Sequence, residues 1–207
     1  MTDAAAPRPY LIAPTHPRLA QFPDILARLL DDHDIACVRM GHTGETEDEL
    51  SRMADTLRPI CHERDVPLVI TGHFRMVTPL GLDGVHLPDG AKQVRAARKA
   101  LPSDSIVGAY AQASRHDGMN AGEIGADYVS FGPVSPSSLG DGTLAPMDLF
   151  SWWSEMIEVP VVAEGGISVQ QAQDLASICD FIALGEELWS HPEGPDVAMT
   201  EYAPYLG

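Results

Sequence analysis

Three short strings constrain this chain of 207 residues more than any bulk property. They are Gly81-Leu82-Asp83-Gly84-Val85-His86-Leu87, Gly125-Ala126-Asp127-Tyr128-Val129-Ser130-Phe131-Gly132-Pro133 and Pro160-Val161-Val162-Ala163-Glu164-Gly165-Gly166-Ile167. The first two run Gly-x-Asp and then an apolar stretch. A glycine there ends a helix in the left-handed conformation. The apolar run that follows is short and uniformly hydrophobic, as in a strand covered on both faces. The third string ends a strand in Gly-Gly, where backbone can approach a ligand closely. Helix and strand in alternation, with functional loops at the strand ends, predict a single (β/α)8 TIM barrel.

A pass along the chain gives eight strands, at residues 10–14, 35–40, 67–71, 84–87, 106–111, 128–132, 160–163 and 181–184. Helices are expected at 23–32, 46–57, 91–100, 115–124, 147–157 and 169–177, with a short turn at 76–80. Ile25, Leu26, Leu29 and Leu30 share one helix face, as do Leu50, Met53, Ala54 and Leu57. Thr46-x-x-Glu49 is a capping box, and Ser168 is the expected N-cap of its helix. The tail from 195 to 205 can close the ring as a final helix. The whole chain reads as one domain, with residues 1–8 as a flexible start. Residues 133–146, rich in Pro, Ser and Gly, are expected to form a lid or a plain surface loop. Of Trp152 and Trp153, one packs inward and the other covers a neighbour.

Charge narrows the partners. Thirty acids against 13 bases leave a net charge of −17, a poor match to nucleic acid or an anionic membrane. Lys92 and Lys99 are the only lysines. No apolar run approaches the 18 residues or so that a membrane span needs, and no signal peptide is expected from the polar, Ala/Pro-rich start. Cys37, Cys61 and Cys179 are scattered without a CxxC, as buried thiols in the cytoplasm would be. The partner class is a small molecule, with a homo-oligomer left open.

From residue 10 to the His191-Pro192-Glu193-Gly194-Pro195 segment, the chain resembles the thiamine phosphate synthase/TenI family. The resemblance rests on Gly84-Val85-His86-Leu87, on Gly125-Ala126-Asp127-Tyr128-Val129 continuing to Phe131-Gly132-Pro133-Val134, and on Gly165-Gly166-Ile167, in that order. It implies a barrel whose parent reaction joins an aminopyrimidine pyrophosphate to a thiazole phosphate, yielding thiamine phosphate and pyrophosphate. In the family, magnesium holds the departing pyrophosphate. Such chemistry needs positive charge around the leaving anion and a phosphate cradle at the later strand ends.

Several positions depart from the family pattern. Its second strand ends in Gln-x-Arg-x-Lys, where this chain has Arg39, Gly41 and Thr43. Its third ends in Asn-Asp-Arg, replaced by Thr71-Gly72-His73. The second magnesium carboxylate falls at Ala91, with Asp83 and Asp89 nearby but out of register. A serine contact becomes Tyr110, and the loop after strand six carries Ser137 but lacks the family's final Thr-Lys. A tautomerase histidine is replaced by Pro133. Glu164 precedes Gly165-Gly166, and the strand-eight cradle reads Gly185-Glu186-Glu187. Acids there repel a dianion by about 1–4 kcal/mol per close pair. Losing one charged transition-state contact costs about 3 kcal/mol. No metal ligand set is expected.

The candidate ligand-pocket residues are therefore Arg39, His42, Thr71, His73, His86, Tyr110, Ser137, Glu164, Gly165, Gly166, Gly185 and Glu186. His86 reads as a satisfied core histidine or a cavity-facing proton carrier. His42 and His73 follow strand ends, where they could pair with Asp89 or Glu164 as an acid/base set or a metal site. Three functions stay open. One is a synthase with a rearranged site, in thiamine biosynthesis with reduced, altered or lost activity. Another is a non-catalytic or regulatory paralogue that binds a neutral or cationic molecule. The third is a different lyase, isomerase or hydrolase using His42 or His73.

Overall fold

The computed structural model describes residues 6–14, 21–41 and 45–207. Eight parallel strands close into a barrel in sequence order: β1 Arg8–Ile12, β2 Cys37–Met40, β3 Leu68–Thr71, β4 Gly84–Leu87, β5 Ile106–Tyr110, β6 Tyr128–Phe131, β7 Val161–Ala163 and β8 Phe181–Leu184. Between and after them lie α1 Phe22–Asp32, α2 Glu47–His62, α3 Val77–Leu80, α4 Val94–Ala100, α5 Arg115–Ile124, α6 Met147–Met156, α7 Val169–Leu175, α8 Glu186–Trp189 and α9 Pro195–Tyr202. The (β/α)8 reading from the sequence holds. Short 3-10 turns precede α3 and α4 and follow α9. One difference lies at the start of the chain, where β1 begins at Arg8 within the segment expected to be loose; residues 1–5 of that segment lie outside the described residues. α8 was not anticipated.

Local chemistry explains the element ends. Thr46 caps α2 with both bonds of the capping box, its side chain accepting from the Glu49 N–H while Glu49 reaches back to the Thr46 N–H. Ser168 and Gln171 do the same for α7. Gly81 and Gly125 end α3 and α5 in the left-handed region, at φ 63° and 112°.

The strands divide the interior in two. Outward residues such as Leu11, Val38, Ile70, Val85, Val129 and Ile182 pack against the helices in one continuous core. Inside the barrel a much smaller apolar cluster holds Tyr10, Cys37, Val69, Tyr128, Val162 and Ala183. The three cysteines are free and buried. Trp153 is buried against Phe131 and donates from its indole N–H to the Val159 carbonyl at 2.7 Å. Trp152 is half-buried under the Arg115 guanidinium. The pair thus splits its duties as anticipated.

Asp127, read as a turn residue at the bottom of the barrel, belongs to a repeated device there. Its N–H donates to the Val107 carbonyl at 2.8 Å, and its carboxylate accepts the Val107 N–H at 2.7 Å. Asp83 makes the same two bonds to Leu68, at 3.0 and 2.7 Å, and Asp180 makes them to Val161, at 3.2 and 2.8 Å. Each aspartate latches the start of an even-numbered strand to the start of the strand before it. Asp180→Ala leaves the Val161 N–H without its protein acceptor and is expected to cost about 1–2 kcal/mol, read from the urea midpoint. Asp180→Asn keeps an acceptor and should lose less.

Candidate functional site

At the C-terminal end of the strands the barrel opens into a cavity of about 710 Å³. Each site side chain reaches it by strand alternation, because residues two apart share a face. Arg39 rises from β2, Tyr110 from β5 and Glu164 from the residue after β7. The later loops complete the wall with Ser137, Gly165, Gly166, Gly185, Glu186 and Glu187. Gly165 and Gly166 have φ of 91° and 68°. At Gly165 an added Cβ would collide with Pro133, so backbone of the two loops meets there as no larger residue allows.

The floor is a buried ion pair. Arg39 Nη2 donates to Glu164 Oε2 at 2.7 Å, and Ser130 Oγ donates to Glu164 Oε1 at 2.6 Å. The Arg39 and Glu164 side chains are 9% and 1% exposed, so this pair is dry on the Glu side and nearly so on the other. Burial, the largest single influence, lowers the Arg39 pKa, but the charge and hydrogen bond of Glu164 together with Tyr10 and Tyr128 raise it overall. Burial likewise works to push Glu164 up, while the Arg39 charge, with His86 and the hydrogen bonds, brings it below its ordinary value. Both groups are therefore charged at neutral pH. The sequence expectation that Glu164 repels an anion is corrected here: its charge is spent on Arg39, 125 residues away in the chain. For the same reason Glu164 is not an acid/base partner for a histidine.

Beneath the floor a polar chain runs down the barrel. His86 Nδ1 lies 2.9 Å from the Tyr128 hydroxyl, which lies 2.9 Å from the Tyr10 hydroxyl. Desolvation first, then the Arg39 charge, lowers the His86 pKa to about 3, against a weaker opposing pull from Glu164. A neutral imidazole 3.7 Å from Glu164 makes no ion pair with it. His86 is the satisfied core histidine of the two readings. Burial raises the Tyr10 and Tyr128 phenols, so the three groups are uncharged together.

Tyr110 is buried and donates to the Gly132 carbonyl at 2.7 Å, fixing its ring along one side of the cavity. The loop 133–146 is tied down at its start. Val134 and Ser135 donate to the Gly165 carbonyl at 2.9 and 3.0 Å, and Ser135 Oγ pairs with Gln171. Its exposed middle, with Ser137, Ser138 and Gly140, overlooks the cavity.

Eight of the twelve sequence candidates line this cavity: Arg39, Tyr110, Ser137, Glu164, Gly165, Gly166, Gly185 and Glu186. His86 lies below it. Thr71 and His73 are half-buried and do not line it, and the Thr71 hydroxyl is a buried oxygen without a partner. His42 lies outside the described residues. Asp89 accepts from Gln93 at 2.8 Å, so it is engaged on its own turn rather than with His73. Among the described residues no group of three or more His, Cys, Asp or Glu could hold a metal ion. No helix among them is long and apolar enough to cross a membrane. Sequence reasoning missed the wall made by Ile12, Pro14, Gln112 and Trp189. The non-glycine left-handed φ of 54° at Gln112 leaves no signature in sequence.

Comparison with known proteins agrees with the fold. The family model described as thiamine monophosphate synthase matches residues 9–188. A thiamine-phosphate synthase of Rhodospirillum centenum is 38% identical over 204 residues, covering 98% of this chain and 97% of the relative. One of Hyphomonas neptunium is 34% identical, covering 98% and 96%. The solved thiamine phosphate pyrophosphorylase of Pyrococcus furiosus superposes with a TM-score of 0.80 at 22% identity, covering 97% of each chain. With identity above 30% along nearly its full length, the chain belongs to the thiamine monophosphate synthase family.

Proposed function

We propose that this chain works in the cytoplasm, in thiamine biosynthesis, as a family member in which coupling of aminopyrimidine pyrophosphate to thiazole phosphate is strongly reduced or altered. One observation carries the reading. Among the described lining residues Arg39 is the only cation, it is already neutralised by Glu164, and Glu186 and Glu187 remain as net negative charge. A leaving pyrophosphate needs the reverse balance. Magnesium could restore it only through carboxylates, and the two positions where the family holds it are here Gly72 and Ala91. The residues present do not fit that metal, and no step is routed through it.

What the cavity's own residues can do is hold a planar, uncharged or cationic ligand. Tyr110 and Trp189 offer ring faces, Ser137 and the backbone around Gly165 offer hydrogen bonds, and Glu186 supplies an exposed carboxylate. The net negative lining favours, as a second reading, a non-catalytic paralogue that binds such a molecule. The two part in a coupling assay that follows pyrophosphate release with both substrates and magnesium. The expected turnover is below about 0.1 per second, a hundredfold under the roughly 10 per second of a median enzyme. Turnover near that median would overturn the reduced-activity reading; none at high enzyme and substrate would leave the binding paralogue.

A further inference from the structure

The loop after β6 closes on itself before it rejoins the barrel. The Ala145 N–H donates to the Pro133 carbonyl at 2.8 Å, so the chain leaves and returns at one neck. A compact surface loop whose ends meet in this way is an Ω-loop. The neck is bound to the barrel. Val134 donates to the Glu164 and Gly165 carbonyls at 3.1 and 2.9 Å, and Ser135 donates to Gly165 at 3.0 Å. The head, residues 136–142, is held differently. Its own hydrogen bonds stay within the loop: Leu139 donates to Ser137 Oγ at 3.3 Å, Gly142 to the Leu139 carbonyl at 3.3 Å, and Thr143 to Asp141 Oδ1 at 2.9 Å. Among the described residues no hydrogen bond joins the head to the barrel. It rests there by packing. Leu139, half-buried, sets its Cδ2 against Gly165, 2.9 Å from where a Cβ would stand. Gly140 lies so close over Tyr110 that a Cβ would come within 2.6 Å of the phenol oxygen. The ring beneath is anchored, since that oxygen donates to the Gly132 carbonyl. Leu139 and Gly140 both line the cavity.

We propose that residues 136–142 are a lid, hinged at the Pro133–Ala145 neck and seated on Tyr110 and Gly165, and that a ligand enters and leaves the cavity as this head lifts. Lifting breaks no hydrogen bond to the barrel and uncovers little apolar surface beyond Leu139. Opening therefore belongs to the low end of local unfolding, while the bonded neck stays shut. Seated, the lid turns one large apolar side chain, Leu139, to the cavity. Glycine at 140 answers two demands at once. Its φ is 63°, and the Tyr110 hydroxyl leaves no room for a side chain. Tyr110 is thus a positioning residue: its ring carries the lid, and its bond to Gly132 keeps the ring in place.

The first test needs no ligand. The full chain, Leu139→Ala, Gly140→Ala, Tyr110→Phe and Tyr110→Phe/Gly140→Ala are digested with proteinase K under native conditions, and the first cut is mapped. It should fall within 136–142. Leu139→Ala and Gly140→Ala should each speed it at least about tenfold, since cleavage follows the population of the open form, while the urea midpoint holds. Tyr110→Phe removes the oxygen that a Cβ at 140 would meet. In that background Gly140→Ala should speed the cut by about threefold at most, because the backbone strain is common to both arms and cancels. A first cut elsewhere, unchanged rates in Leu139→Ala and Gly140→Ala, or an equal rise in the two backgrounds overturns the proposal. Should Gly140→Ala not fold, Leu139→Ala decides alone. The second test takes thiamine, a planar cation, as probe, and this choice rests on the ligand class proposed above. Stopped-flow release is followed by tryptophan fluorescence, since Trp189 lines the cavity. Leu139→Ala should release thiamine at least about tenfold faster than the unaltered chain. Equal release from both overturns the gating. The expected digestion pattern with no thiamine bound to either protein would support the lid and sink the cationic-ligand reading alone.

Discussion

Arg39→Met is expected to destabilise the protein by about 3–5 kcal/mol, the usual cost of leaving one partner of a buried pair uncompensated. Glu164 would keep only the Ser130 hydroxyl and remain 1% exposed, so it would have to bind a proton or draw in water. The double variant Arg39→Met/Glu164→Met is expected to lose far less than the sum of the two single changes. Two apolar side chains of similar length remove both charges and fill the floor together. Urea unfolding of the four proteins measures the coupling. A loss below about 1 kcal/mol for Arg39→Met would show that the floor is wet and the pair screened.

The second large effect is a dependence on acid set by His86. In the folded protein the imidazole stays neutral until about pH 3. In the unfolded chain it takes a proton near 6.5. Between those values the unfolded state binds the extra proton. The contribution of His86 is therefore whole above pH 6.5 and is lost as pH falls towards 3, with a slope up to about 1.4 kcal/mol per unit. Glu187, whose carboxyl is pushed up in the fold, works in the opposite sense. Comparing the unaltered chain with His86→Gln cancels that term and leaves the imidazole. Unfolding free energies from pH 7 to 4.5 should fall about 2–3 kcal/mol further in the unaltered chain than in the variant. Parallel profiles would mean that His86 is already protonated in the fold.

The barrel was legible because its signals are local and repeated. Gly81 and Gly125 mark helix ends, Thr46-x-x-Glu49 marks a beginning, and the apolar runs after Asp83 and Asp127 can only be covered on both faces. The cavity was half legible, since residues just past strand ends must line the open end of a barrel. What escaped was pairing across long chain separations. Glu164 reads as a surplus negative charge until Arg39, 125 positions away, is seen beside it, and nothing between them announces the meeting. α8 escaped for another reason. Four residues hold barely one turn, too few to show a period, and Gly185-Glu186-Glu187 looks like a loop. With α8 went the return of Glu187 onto the Gly185 and Ile167 amides. Thr71 and His73 were nominated by position alone; Thr71 ends β3 and His73 follows it, and neither lines the cavity.

The aspartate latches bear on how such a protein can change. Asp83, Asp127 and Asp180 bind strand to strand at the end of the barrel farthest from the opening, and none of them lines the main cavity. The ring is fastened at its base. That fastening is separate from the opening, so loop residues around the rim can change while the latches still hold the staves together. A vessel hooped at the bottom keeps its shape while its contents are exchanged.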